Sequence, residues 1–190
     1  MPDFVVAGTG PRSIKTADAR TRGQAWDLLI DRLDHLRAVH RDDLVVMSGF
    51  AEGWDEAVAK AAIKLNLRLW AAVPNRGYGR WYWSAEHSQT HTNRLGGFAD
   101  LLGRAWRVTY VMEDVHRTTA LKLGGKHANS WRNDFMVTGG LDFPGADDFV
   151  VLGPVKPGSG TAHCVAAIRR AGKWRDDMVL SAASIQTALP

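Results

Sequence analysis

The chain has 190 residues, a formal net charge of +4, 45% hydrophobic and 23% charged residues, and one cysteine. That length fits one domain with a real core, and the mild charge permits an acidic ligand without demanding nucleic acid. Cys164 has no partner for an internal disulfide and cannot by itself build a zinc–thiolate cluster. No signal-peptide pattern and no apolar run of membrane-spanning length is found, so a cytoplasmic protein is expected.

In chain order, Phe4-Val5-Val6-Ala7 reads as a buried strand, followed by the turn Ala7-Gly8-Thr9-Gly10-Pro11-Arg12. Thr21 and Gln24 have the spacing of a capping box, and Trp26, Leu29, Ile30, Leu33, Leu36 and Val39 recur at helical period behind it. Leu44 to Met47 is a second strand, entering the turn Ser48-Gly49-Phe50-Ala51-Glu52-Gly53-Trp54-Asp55. A small-faced helix through Ala57, Val58, Ala61 and Ala62 then runs to about Asn66, and Leu67 to Val73 is a third strand stopped by Pro74. Arg76 to Trp83 reads as a loop, Ser84 to Leu102 as a polar helix, and Arg107 to Met112 as a fourth strand. Arg117 to Ser130 reads as loop and Trp131 to Val137 as helix. A fifth strand, Phe149 to Leu152, leads through Pro157-Gly158-Ser159-Gly160-Thr161 into a helix from Thr161 to Ala171, with Gly172 as its cap. Met178 to Leu180 adds an edge strand. Strands alternating with helices predict a single Rossmann-like α/β domain, doubly wound around a mostly parallel sheet.

Three glycine-bearing turns each fall where a strand hands over to a helix. A helix N-terminus presents unpaired N–H groups and the positive end of a dipole, and glycine lets an anion approach them. The predicted ligand-binding residues are therefore Gly8, Thr9, Gly10, Arg12, Ser48, Gly49, Gly53, Asp55, Arg132, Gly158, Ser159, Gly160 and Thr161. Arg12 and Arg132 would fork onto phosphate oxygens, although Arg132 also has Asp134, Asp147 and Asp148 as candidate ion-pair partners. Asp55 would cap its helix or hold a ribose hydroxyl. Trp81-Tyr82-Trp83 would fill core or interface, with stacking on a base as the alternative. His87 and His91 would share a helix face but lack further ligands, so neither a metal nor another cofactor is expected. Cys164 reads as a buried, inert thiol. Trp81, Trp83, Trp106 and Trp131, outside the clearest strands, motivate the expectation of a homodimer.

Ser48 to Asp55, Arg132-Asn133-Asp134-Phe135-Met136 and Gly158 to Ala162 together resemble the SLOG superfamily of Rossmann-like domains. The best local match is its YspA/YpsA-related branch, with turns of the form Ser-Gly-x-Ala-x-Gly-x-Asp and Gly-x-Gly-Thr-Ala around an Arg-Asn-x-x-Met helix. The resemblance covers nearly the whole chain in order. It implies a nucleotide or nucleotide-derived small molecule, such as an ADP-ribose-like or nucleoside-monophosphate-like ligand. The LOG-type phosphoribohydrolases of the same superfamily imply an alternative, cleavage of a nucleotide's N-glycosidic bond. Their catalytic glutamate falls three residues after the threonine, where this chain has Cys164 preceded by His163. An enzyme would need Asp55, Glu52 or Asp134 instead. Single-stranded DNA binding in the manner of the DprA core is a third reading, which the mild charge and the lack of a basic stripe disfavour.

Overall fold

A computed structural model of the chain describes residues 4–88, 90–115, 125–140 and 143–180. Six strands form one all-parallel sheet: β1 (Phe4–Thr9), β2 (Leu44–Ser48), β3 (Arg68–Val73), β4 (Arg107–Tyr110), β5 (Asp148–Leu152) and β6 (Val179–Leu180). Their spatial order is β4-β3-β2-β1-β5-β6. The chain builds outward from β1 to β4, then returns to place β5 on the other flank of β1. The carboxyl ends of β1 and β5 therefore border a topological switch point, where open parallel sheets bind ligands.

Residues of one strand alternate between two cores. Val5, Ala7, Met47, Trp70, Phe149 and Val151 meet α5 (Gly125–Thr138) and α6 (Gly160–Arg170). Val6, Val46, Leu69, Ala71 and Val150 meet α1 (Ala19–His40), α2 (Trp54–Lys64), α3 (Tyr78–Tyr82) and α4 (Leu95–Gly103). Burial on both faces explains why the strands read as continuous apolar runs. The alanine face of α2 lies close on the sheet: a Cβ added at Gly8 would meet Val58 Cγ2 at 2.4 Å, and one at Gly10 would meet Trp54 at 2.5 Å. These two glycines thus let α2 approach β1.

Several expectations are corrected. The cap of α1 is Asp18, which accepts from the Thr21 amide at 2.9 Å, so the helix starts before the Thr21–Gln24 box. Arg76 to Trp83 contains α3, where Tyr78 stacks on Tyr82 with ring centroids 4.6 Å apart. The polar helix predicted from Ser84 begins only at Leu95. Ser84 donates to the Trp81 carbonyl, and Asn93 accepts from the Leu95 amide, so short polar side chains compete with helical bonding there. His87 and His91 consequently share no helix face. β4 ends at Tyr110, and a π-helical turn, Val111–Val115, follows. α5 starts at Gly125, within the segment read as loop; residues 117–124 of that segment lie outside the described residues.

Three of the tryptophans pack the core. Trp54, Trp70 and Trp83 are fully buried, and their indole N–H groups donate to Val150 O, Thr109 Oγ1 and Phe50 O at 3.2, 3.0 and 3.0 Å. An aromatic side chain of this size takes about 150–250 Å² out of water when it is buried. Trp131 is partly buried, leaving Trp81 and Trp106 as the exposed pair among the four that motivated a dimer. No helix among the described residues is long and apolar enough to cross a membrane.

Candidate functional site

A cavity of about 400 Å³ opens at the switch point. The end of β1 contributes Thr9, Gly10, Pro11 and Arg12, and the loop after β5 contributes Pro154, Lys156 and Ser159. Gly160 and Thr161 open α6 there. Ser159 is the N-cap, accepting from the Ala162 amide at 3.1 Å, which leaves the Gly160 and Thr161 amides without intrahelical acceptors. Arg132 and Asn133 enter from α5, Asp55 from α2 and Tyr82 from α3.

Arg132 is the hub. Its side chain is buried, and Nη1 donates to Gly49 O at 2.5 Å and to Asp55 Oδ2 at 3.2 Å. Nε donates to Asn133 Oδ1 at 2.9 Å, and Asn133 Nδ2 donates onward to Gly160 O at 3.0 Å. One hydrogen-bonded chain therefore ties the second glycine turn to the third. Among the described residues Nη2 takes no hydrogen-bond partner, so the guanidinium keeps donor capacity at the cavity wall.

The electrostatics follow from burial and this pair. Removal from water pushes the Asp55 carboxyl up to about 6, against the opposing pull of Arg132 and the Ala51 amide. Burial works against the Arg132 charge too, but Asp55, Tyr78 and Tyr82 outweigh it and raise its pKa. Arg12 lies at the cavity edge: its guanidinium sits 4.1 Å over the Tyr82 ring, and Nη2 donates to His87 O at 2.8 Å. Arg12, Arg132 and exposed Lys156 line the cavity together with one carboxylate, Asp55, and Arg12 Nη2 also meets the buried Glu52 carboxylate at 3.6 Å.

Eight of the thirteen predicted residues line the cavity: Thr9, Gly10, Arg12, Asp55, Arg132, Ser159, Gly160 and Thr161. The other five do not line it. Gly8 packs on Val58. Ser48 donates its hydroxyl to Asp55 O at 2.7 Å and accepts from the Phe50 amide at 3.1 Å, shaping the turn itself. Gly49 makes room for the ion pair, since a Cβ there would fall 2.2 Å from Arg132 Nη1 and 2.6 Å from Asp55 Oδ2. Gly53 and Gly158 hold positive φ angles of 88° and 73° within their turns.

Two side-chain roles are corrected. The cap position of α2 is Gly53, so Asp55 is an ion-pair partner and not the cap. Arg132 pairs with Asp55 rather than with Asp134, Asp147 or Asp148. Asp134 meets His163 at 3.2 Å, Asp147 accepts from the Val5 amide at 2.7 Å, and Asp148 holds Arg32 and Arg175 at 2.9 and 2.6 Å. Cys164 is fully buried against Thr9, and burial pushes its thiol up to about 12. Glu52, also buried, meets Lys15, Arg94 and Ser88 at 3.5, 3.2 and 2.8 Å. Sequence reasoning assigned no site role to Asn129, Asn133 and Lys156. Asn133 lay inside the Arg-Asn motif and Lys156 is a lone lysine just before the glycine turn; Asn129 carried no periodic signal.

Neither protein-family models nor curated proteins give any match to this chain.

Proposed function

We propose that the protein binds a phosphorylated nucleoside or nucleotide-derived small molecule in the switch-point cavity, as the SLOG resemblance implies. The observation that carries this reading is that three cationic residues, Arg12, Arg132 and Lys156, line the same cavity as the free amides that open α6. Gly160 and Thr161 would donate to phosphate oxygens, with charge supplied by Arg132 and Lys156. Asp55 would accept from a ribose hydroxyl, a role its 3.2 Å bond to Arg132 leaves room for because a carboxylate accepts several hydrogen bonds. Small molecules released by denaturing the purified protein would be identified by mass spectrometry, and affinities for nucleoside mono- and diphosphates and ADP-ribose measured by calorimetry. A released phosphorylated nucleoside, or saturable binding of one of the panel, is expected. No released nucleotide and no binding heat would overturn the reading.

Hydrolysis of the N-glycosidic bond stands as a second reading because of one placement. Of the three acids considered for the absent glutamate, Asp55 borders the cavity, whereas Glu52 is buried among its cations and Asp134 pairs with His163. With a carboxyl near 6, Asp55 is mostly ionised at neutral pH and suited to stabilise positive charge on ribose or to activate water. Cys164 cannot replace it, because its thiol stays protonated. Release of free base from the panel over hours separates turnover from binding alone.

A further inference from the structure

A second cavity, of about 450 Å³, lies beside the first and is lined by Asn75, Gly77, Tyr78, Trp81, Ala128 and Asn129. Asn129 borders both cavities. The two differ in chemistry. The switch-point cavity carries Arg12, Arg132, Lys156 and Asp55, whereas among the described residues no charged side chain lines the second. Its walls are an indole, a phenol and two carboxamides. Trp81 is 52% exposed, resting on His87 and Tyr82 with centroids 4.3 and 5.9 Å away, so part of the indole surface is uncovered.

The lining of the second cavity holds two polar atoms with unmet bonding capacity. The Tyr78 hydroxyl is sealed from water and has no hydrogen-bond partner; Tyr78 itself is only 4% exposed. It approaches the Tyr82 hydroxyl without hydrogen-bond geometry. Asn129 Oδ1 is likewise buried and unpartnered. Asn75 donates one amide N–H only to Met112 Sδ at 3.9 Å, a weak acceptor. Leaving a buried polar group without a partner is costly. Two such groups in the lining of one aromatic cavity, beside a cationic one, are accounted for if a bound molecule supplies their partners.

We infer that the second cavity is the subsite for the nucleobase of the same ligand whose phosphate lies on Gly160, Thr161 and Arg132, so that the bound nucleotide passes Asn129. The inference rests on the nucleotide reading above. The base stacks on Trp81, presents an amino or ring N–H donor to Asn129 Oδ1, and meets the Tyr78 hydroxyl, which burial keeps protonated. A planar ring with hydrogen-bonding edges fits this lining; a bare sugar phosphate would leave it empty.

The test compares the four nucleoside 5′-monophosphates with ribose 5-phosphate by calorimetry, on the wild type and on Trp81→Ala, Trp81→Phe and Tyr78→Phe. The tightest monophosphate is expected to bind at least tenfold more tightly than ribose 5-phosphate. Trp81→Ala should weaken it about tenfold, the scale of a lost base stack, leave ribose 5-phosphate unchanged, and be largely rescued by Trp81→Phe. Tyr78→Phe should weaken the nucleotide several-fold while Tm holds or rises, because the removed hydroxyl has no partner in the free protein. A purely structural tyrosine would show the opposite pattern. Should Trp81→Ala fail to fold, Tyr78→Phe carries the same comparison. Equal affinity for nucleotide and ribose 5-phosphate, or variants that leave nucleotide affinity intact or weaken both probes alike, would overturn the base subsite and leave the phosphate site standing. Failure of the wild type to bind either probe would overturn both.

Discussion

Asp55→Asn separates the electrostatics of the cavity from its shape. The substitution keeps side-chain size and removes one buried charge 3.2 Å from Arg132. In the folded protein this carboxyl is raised from 3.8 to about 6, first by burial, against the pull of Arg132. Between those two values the folded chain holds a proton that the unfolded chain gives up. Stability contributed by this group is therefore fully present below about pH 4 and is lost as pH rises through about 6. A shift of about two pKa units at roughly 1.4 kcal/mol per unit makes the loss about 3 kcal/mol. Urea unfolding of both proteins at intervals from pH 3.5 to 7.5 reads it directly. The stability of Asp55→Asn minus that of the wild type should climb by about 3 kcal/mol across the window. Glu56, also raised by burial, is common to both proteins and cancels in the difference. The pull of Arg132 on the ionised carboxylate is already contained in the folded-state value of about 6, so it adds no separate contribution to the difference. A flat difference curve would refute the claim that Asp55 is desolvated in this pair.

Two further outcomes follow from the same geometry. Arg132→Lys keeps the charge but cannot serve Gly49, Asp55 and Asn133 from one planar fork, so both Tm and nucleotide affinity should fall; a fall in Tm alone would withdraw Arg132 from phosphate binding. Cys164, buried and held near 12, should resist an aromatic disulfide reagent at pH 8 in the folded protein and react at once in denaturant, whereas rapid labelling of the native state would contradict its placement.

Much of the fold was legible because strand and helix periods were strong where both faces are buried. Val45, Val46 and Met47 have no polar alternation, and Leu29, Leu33 and Leu36 repeat at helical spacing, so both elements fell where expected. Legibility failed where local polar bonding decides. Ser84, Ser88, Thr90 and Asn93 form a helix-like polar string, yet their side chains hold turns, and Arg94 is drawn to Glu56 at 2.7 Å. In the site, glycine turns announced where strands end but not what each glycine is for. That Gly49 clears space for an ion pair while Gly160 opens a helix depends on Arg132, which arrives 83 residues later in sequence from Gly49. The Asp55–Arg132 pair itself, 77 residues apart, left no local mark. Trp81-Tyr82-Trp83 divided three ways, into an exposed ring, a cavity wall and a buried indole, because a helical turn points neighbours in different directions.

Gly160→Asp tests the phosphate site most directly. A Cβ at Gly160 would have no heavy atom within 4 Å, so the side chain fits without strain. A carboxylate in the first turn of α6 also suits the helix dipole, so Tm should hold or rise. The same carboxylate stands beside the amides proposed to hold phosphate. Repulsion between unit charges about 4 Å apart is between about 1 kcal/mol in water and about 4 kcal/mol near a protein surface, or roughly fivefold to a thousandfold in affinity. Calorimetric titration of wild type and Gly160→Asp with the tightest nucleoside monophosphate is predicted to show that loss in a fully folded variant. Unchanged affinity in a folded Gly160→Asp would contradict the site.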